Sequence, residues 1–267
     1  MSAGFATVIV AALAGALCIS PAWAAISIWK GTTGAWFDGA IWTNGVPNPG
    51  DDAVINSGSA LLASETPVLG AFTMNGGTLT FSNWTTKLTA SNVWLQGPAT
   101  IALPPAFTNN GISNRMWIVC TNFFLDSTAA INADGGGFAG AENSFPGHGP
   151  GGGGRDSGGS YGGRGGCYYA YANGTTYGSL EAPTDPGSGG GGEPPANWGG
   201  DGGGAVWIDV GLNATVNGTI SACGSASHWG MNGSGGGIYI RCRTFAGTDG
   251  IVRADASSAQ AAWSLGG

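Results

Sequence analysis

The side chains in this sequence that could do chemistry are a few scattered acids, five cysteines, two histidines and a serine in a glycine frame. Glycoside hydrolysis needs two carboxyls on one site, about 5–5.5 Å apart for retention or about 6.5–9.5 Å for inversion. Asp126, Asp134, Asp209 and Asp255 each stand singly near a predicted strand end, which suits a solvated turn better than a catalytic pair. Arg241, Arg243 and Arg253 lie on predicted strands beside them and read as outward charges that discourage edge association. Hard oxygen ligands suit calcium, and Asp134, Asp201 and Asp255 are the metal candidates. The tandem G-G-x-G-x-D run that stacks calcium sites is missing. Calcium is therefore an option and not an assignment, and no residue receives a catalytic or cofactor-binding role.

Gly158-Gly159-Ser160-Tyr161-Gly162 fits G-x-S-x-G, but a nucleophile elbow needs an apolar strand before the serine. Residues 149–157 read GPGGGGRDS instead. Gly147-His148-Gly149-Pro150-Gly151-Gly152 fits G-x-G-x-x-G, without the preceding strand and following helix that hold a pyrophosphate. Pro150 also removes a donor. His148 and His228 have no H-x-x-x-H or C-x-x-C around them, so zinc is not expected. Loss of a leader would leave Cys120, Cys167, Cys223 and Cys242, an even number that allows two disulfides in three connectivities. Cys120 and Cys242 share a repeat position with Val210, which makes them small core hydrophobes. Cys167 and Cys223, both near glycine turns, are the expected bridge.

A recurring unit must position these groups: an aromatic–Ile strand, a turn, a second apolar strand, then a glycine-rich loop. Its copies are 116–120 (MWIVC) with 130–134 (AINAD), 205–210 (AVWIDV) with 218–223 (GTISAC), and 238–242 (IYIRC) with 250–255 (GIVRAD). Self-similarity at about 20–50 residues marks stacked-repeat architectures. Trp117, Trp207 and Tyr239 occupy one position of the unit and are expected to stack, inside the coil or on its flank. Elsewhere short β-branched strands alternate with turns, and no apolar 3.6-residue pattern persists. The predicted fold is all-β, a right-handed parallel β-solenoid (β-helix) with a Gly-rich lateral insertion and almost no helix.

Composition narrows the function. Fifty-three glycines in 267 residues far exceed the usual share of about 7%, without collagen's three-residue period. Charged residues make up 9%, against about 25% in an ordinary domain, while hydrophobicity is too high for a disordered chain. A net charge of −7 with eight Lys plus Arg lacks the basic footprint of a nucleic-acid binder or of a protein adsorbed to anionic lipid. Residues 5–17, FATVIVAALAGAL, are too short to span a bilayer comfortably, and Ala22-Trp23-Ala24 supplies a small-x-small cleavage pattern. A signal peptide over 1–24 is expected, giving a secreted or cell-surface protein with no membrane insertion. Leu17 stands where a lipidated Cys18 would need a small residue.

Residues 26–55 hold Trp36, Trp42, the turn NGVPNPG at 44–50, Asp51-Asp52 and a strand at 53–55. Pro and Gly set the tight turns, and the aromatics would cover the exposed end of the first coil. This W…W-x-x-G-x-P-x-x-G-D-x-x-x-I stretch resembles the entry segment of bacterial extracellular parallel β-helices, including autotransporter passengers. The segments 218–222 (GTISA) and 233–240 (GSGGGIYI) are similar to glycine-rich right-handed β-helical regions of large bacterial surface proteins, a likeness of fold that assigns no chemistry. The Gly-rich insertion spans 135–204. Its tracts either hang as loops or pack as left-handed extended helices, and Tyr161, Tyr168, Tyr169, Tyr171 and Trp198 as anchors favour packing. Solenoids need polar caps; none is visible at 264–267, so further repeats of the same polypeptide are expected.

The resulting organisation is a signal peptide at 1–24, solenoid coils with an aromatic entry cap at 25–134, the insertion at 135–204, and truncated coils at 205–267. The function that fits is a non-enzymatic structural or adhesive module that meets an extracellular glycan or matrix surface over an extended face. Two alternatives stay open. A carbohydrate-active or carbohydrate-binding β-helix of the polysaccharide-lyase kind would gather two or more of Asp126, Asp134, Asp209 and Asp255 with an arginine in one groove. An ice- or mineral-surface binder would need regular outward Thr ladders, of which only Thr78 and Thr80 can be read.

Overall fold

The computed structural model describes residues 24–111, 113–167, 174–195, 197–227 and 231–257. Residues 1–23 of the expected signal peptide, Tyr168, Tyr169, Tyr171, His228 and the chain end at 264–267 lie outside them. The described strands are β1 (Ile26–Ile28), β2 (Thr33–Ala35), β3 (Asp52–Ile55), β4 (Ser59–Leu62), β5 (Val68–Met74), β6 (Gly77–Phe81), β7 (Leu88–Leu95), β8 (Ala99–Ala102), β9 (Arg115–Leu125), β10 (Ala130–Asn132), β11 (Ala205–Val216), β12 (Thr219–Ser221), β13 (Ile238–Arg241), β14 (Thr244–Ala246) and β15 (Ile251–Arg253). Helix is confined, among the described residues, to one 3-10 turn at Gly39–Ile41.

One sheet runs β1-β3-β5-β7-β9-β11-β13 with β14 also beside β11, and the other runs β15-β12-β10-β8-β6-β4-β2. All these pairings are parallel. Each coil therefore adds one rung to each sheet, and the fold is the parallel β-solenoid that the repeats predict. Inward and outward side chains alternate along each strand, so Leu79, Ile101, Ile131 and Ile220 form one buried column. Burying a side chain of this size contributes about 1.5–3 kcal/mol.

The long strands of the first sheet bend. In β5, Leu69 and Phe72 both point inward with two residues between them, and Ala90 and Val93 of β7 do the same. In β11 the slip is wider, with a register shift between Val210 and Asn213. Asn92, Asn122 and Asn213 line this corner as a ladder, each amide nitrogen donating to the next amide oxygen at 3.1 and 3.2 Å. Trp29, Trp36 and Trp42 close the first coil. They are 0–2% exposed, meet edge-on at 5.1 and 4.9 Å, and Trp42 Nε1 donates to the Trp36 carbonyl at 2.7 Å.

The glycine tracts form a packed slab. Gly187 and Gly190 donate to Gly203 and Gly200, while Gly200 and Gly203 donate to Met231 and Ser234. Bonds at every third residue, outside any strand, are the mark of three-residue extended helices laid side by side. Only glycine permits this approach: a Cβ on Gly191 would sit 1.9 Å from the Gly154 carbonyl oxygen, and one on Gly203 1.9 Å from that of Ala222. Tyr161 anchors the slab, buried and edge-on to Tyr177 at 4.9 Å. Trp198 does not, being 59% exposed. The slab also recruits residues 231–237, outside the span 135–204.

Candidate functional site

Register places Trp117, Trp207 and Tyr239 on successive rungs. They lie on the outer flank, because Met116, Ile118, Val206 and Ile208 between them fill the core. Trp117 and Trp207 stack at 4.6 Å and 9°, and Tyr239 meets Trp207 edge-on at 6.1 Å. Lys87 Nζ sits 4.9 Å from the Trp117 ring and bridges Glu65 at 3.2 Å. Arg115 is 7% exposed and lies against three indoles, 4.5 Å from Trp84, 4.8 Å from Trp117 and 5.0 Å from Trp207. Cation–π contacts of this kind contribute about 0.5–2 kcal/mol. Burial pulls the Arg115 pKa down, opposed by the charge of Asp185. Its buried Nε has no hydrogen-bond partner.

Beside this cluster, where the slab meets the first sheet, is a cleft of about 280 Å³ lined by Trp84, Ser113, Phe138, Tyr177 and Asp185, among others. Phe138 packs on Phe107 at 4.7 Å. Tyr177 Oη donates to the Pro186 carbonyl and contacts Ser188 Oγ at 2.8 Å. Composition could have hinted at an aromatic site, but nothing in the residue spacing links Trp84 to Tyr177 and Asp185.

A second cleft, about 380 Å³, gathers Asp134, Cys223, Arg253, Asp255 and Ser257 at the end of the second sheet. The ladder β10–β12–β15 continues past its strands, with Gly135 N donating to Cys223 O and Gly224 N to Asp255 O. Asp134 and Asp255 thereby flank Cys223, whose backbone N donates to Asp134 Oδ1 at 2.6 Å. Asp209 is elsewhere, held by Arg241 through two bonds at 3.0 and 2.6 Å. Asp126 caps its own turn, accepting from Thr128 N at 3.2 Å. Asp201, the third calcium candidate, is inside the slab. Its Oδ1 accepts from Gly140 N at 2.8 Å, and burial raises its pKa. No set of three His, Cys, Asp or Glu able to hold a metal exists among the described residues.

The serine of the G-x-S-x-G match is fully buried, donating to Gly174 O at 3.0 Å and accepting from Gly165 N at 2.9 Å, so Ser160 joins slab strands. His148 Nδ1 accepts from Asn109 N at 3.5 Å. The bridge expected between Cys167 and Cys223 is a correction: all four described cysteines are free. Cys167 pairs its backbone with Ser157 in the slab, whereas Cys223 extends a solenoid rung, and separate ladders hold the two. Cys120 lies opposite Val210 in the core, and burial pushes its pKa up to about 12.

The outer face of the second sheet carries a column the sequence did not disclose. Thr33, Ser59, Thr78 and Thr100 align rung on rung, followed by Ala130 and Thr219. The neighbouring column is Ala35, Leu61, Thr80, Ala102 and Asn132.

Comparison with known families then adds one finding. Residues 41–107 match the G8 domain. G8 domains occur in extracellular proteins. The G8-like segment runs from the end of the 3-10 turn through β8 to Phe107, and so includes Trp42, β3–β8 and Trp84. Its end docks on the slab through the Phe107–Phe138 bridge. No curated protein and no solved structure matches the chain. No helix among the described residues is long and apolar enough to cross a membrane.

Proposed function

We propose that this chain is a secreted or surface-displayed structural or adhesive solenoid, without enzymatic activity, whose flat flank meets an extracellular glycan or matrix surface. The supporting observation is the hydroxyl column Thr33–Ser59–Thr78–Thr100. Parallel strands repeat it every 4.7–4.9 Å or so on a rigid backbone, giving many small contacts rather than one pocket. The interruption at Ala130 and the largely apolar neighbouring column favour general surface contact over the matching of an ice or mineral lattice. The G8-like segment supports the extracellular placement, and surface display fits the autotransporter-like entry stretch. The test is retention of the mature protein on immobilised matrix polysaccharide. Thr78→Arg with Thr100→Arg should abolish retention while leaving the fold intact; undiminished retention would overturn the proposal.

A second reading, a carbohydrate-active β-helix, is favoured by the cleft that brings Asp134, Asp255 and Arg253 together. It requires turnover of an acidic polysaccharide that Asp255→Asn removes. Absence of turnover by the unsubstituted protein counts against it.

A further inference from the structure

Phe37, Phe145 and Trp198 are exposed in turns and loops, whereas Trp94 is 39% exposed on a central strand of the first sheet. A lone exposed apolar residue means little, so its neighbours decide what it does. Register sets Trp94 between Thr73 on one rung and Phe124 on the next, with Thr215 beyond. Asn92, two residues before Trp94, belongs to the ladder Asn92–Asn122–Asn213, bonded amide to amide at 3.1 and 3.2 Å. On the other side Asn56, Asn75 and Gln96 prolong the same rungs past the strand ends, and Asn75 Nδ2 donates to Asn56 Oδ1 at 2.8 Å. A row holding Trp94 and Phe124 thus runs along the stack between two rows of amides. A primary amide has two N–H donors and a carbonyl oxygen, so each ladder member keeps capacity for a ligand after its ladder bond. The ladder also fixes its orientation in advance, which lowers the cost of binding. Aromatic rings take the C–H face of a sugar, and amides take its hydroxyls. Charge narrows the class further: from β5 to β11 these rows carry no Lys or Arg, and Asp126 follows Gln96 in the outer row. A polyanion finds no counter-charge there. Rungs repeat every 4.7–4.9 Å or so, close to the length of one pyranose, so an extended chain can place one ring per rung. We propose that the first-sheet face centred on Trp94 binds an extended neutral glycan, with sugar rings on Trp94 and Phe124 and hydroxyls on the flanking amides.

This deepens the reading of the chain as an extracellular glycan-contact module and rests on it, on a sheet separate from the threonine column. The test is isothermal titration of the mature protein with hexasaccharides of β-1,4-linked glucose, N-acetylglucosamine and xylose, with oligogalacturonate of equal length as the acidic comparator. At least one neutral hexasaccharide should bind, more tightly than its disaccharide, and oligogalacturonate should bind about tenfold more weakly or not at all. Trp94→Ala, which removes no core packing, should weaken binding about tenfold or more with an unchanged melting profile. Trp94→Tyr should keep most of the affinity, and Gln96→Ala should lose less than Trp94→Ala. Thr78→Arg with Thr100→Arg should leave hexasaccharide affinity unaltered. No binding of any neutral hexasaccharide, equal or tighter binding of oligogalacturonate, or indifference to Trp94→Ala overturns the proposal. A concentration-dependent dimer that Trp94→Ala dissolves also overturns it, because the face would then be a contact between copies. If matrix retention needs the threonine column while Trp94→Ala changes no affinity, this site is wrong and the adhesive reading stands. If hexasaccharides bind through Trp94 while the threonine variant is retained undiminished, this site stands and the threonine column falls.

Discussion

Asp51 and Asp201 show how far one residue type can diverge on this scaffold. Asp51 accepts from Asn48 N at 2.8 Å and Ala25 N at 2.9 Å, and these backbone bonds hold its pKa below 3.8. Its stabilising contribution is present above the unfolded-state value and is lost as pH falls through the folded one. Asp201 has the opposite sign. Burial raises its pKa above 3.8, the Gly140 bond opposing, so ionisation costs stability as pH rises from 3.8 through the folded value. Asp51→Asn should lower the melting temperature at about pH 7 and do little at about pH 3. Asp201→Asn keeps an oxygen for Gly140 and should raise the melting temperature at about pH 7, with the gain gone by about pH 3. Calorimetric scans at both pH values check this, and shifts independent of pH would contradict it.

At the scale of elements, the entry cap and the outer strand faces should differ sharply in cost. Trp42 is 1% exposed among Trp29 and Trp36, whereas Trp94 on β7 is 39% exposed and points outward. Trp42→Ala leaves a cavity no neighbour can fill and should cost about 3–5 kcal/mol. Trp94→Ala should stay within about 1 kcal/mol. Urea melts of the two variants decide the matter, and similar losses would mean that the cap does not close the coil. The cap was legible in the sequence because clustered tryptophans and Pro/Gly turns before the first repeat have few other uses. The asparagine ladder was not, since Asn92, Asn122 and Asn213 are separated by unequal intervals and meet only after the corner sets their register.

For the whole molecule, slab and solenoid share backbone ladders, with Gly204 donating to Ala133 and Gly236 to Ala222. Damage to the slab should therefore spread to the coils it touches. Gly191→Ala drives a Cβ onto the Gly154 carbonyl and should cost at least about 1–3 kcal/mol. Hydrogen exchange should accelerate across 147–153 and 187–192 and into β11, while β3–β8 keep their protection. Unchanged exchange in 147–153 would show that the tracts are not in register.

The amino-acid sequence by itself determined the parallel coil, the stacking of Trp117 on Trp207, the core place of Cys120 and the capped entry. Each follows from side chains recurring at a fixed place in a repeat, and a repeat converts sequence position into height on the stack. Tertiary structure alone decided what the glycines do and where the clefts lie. A glycine has no side chain to show its partner, so which tract packs on which is settled only when carbonyls and amides meet. Trp84 belongs to the coils and Tyr177 and Asp185 to the slab, and only the docking of one layer on another brings them to a common wall. The unformed Cys167–Cys223 bridge has the same cause, because both cysteines look alike beside glycine turns until separate ladders hold them.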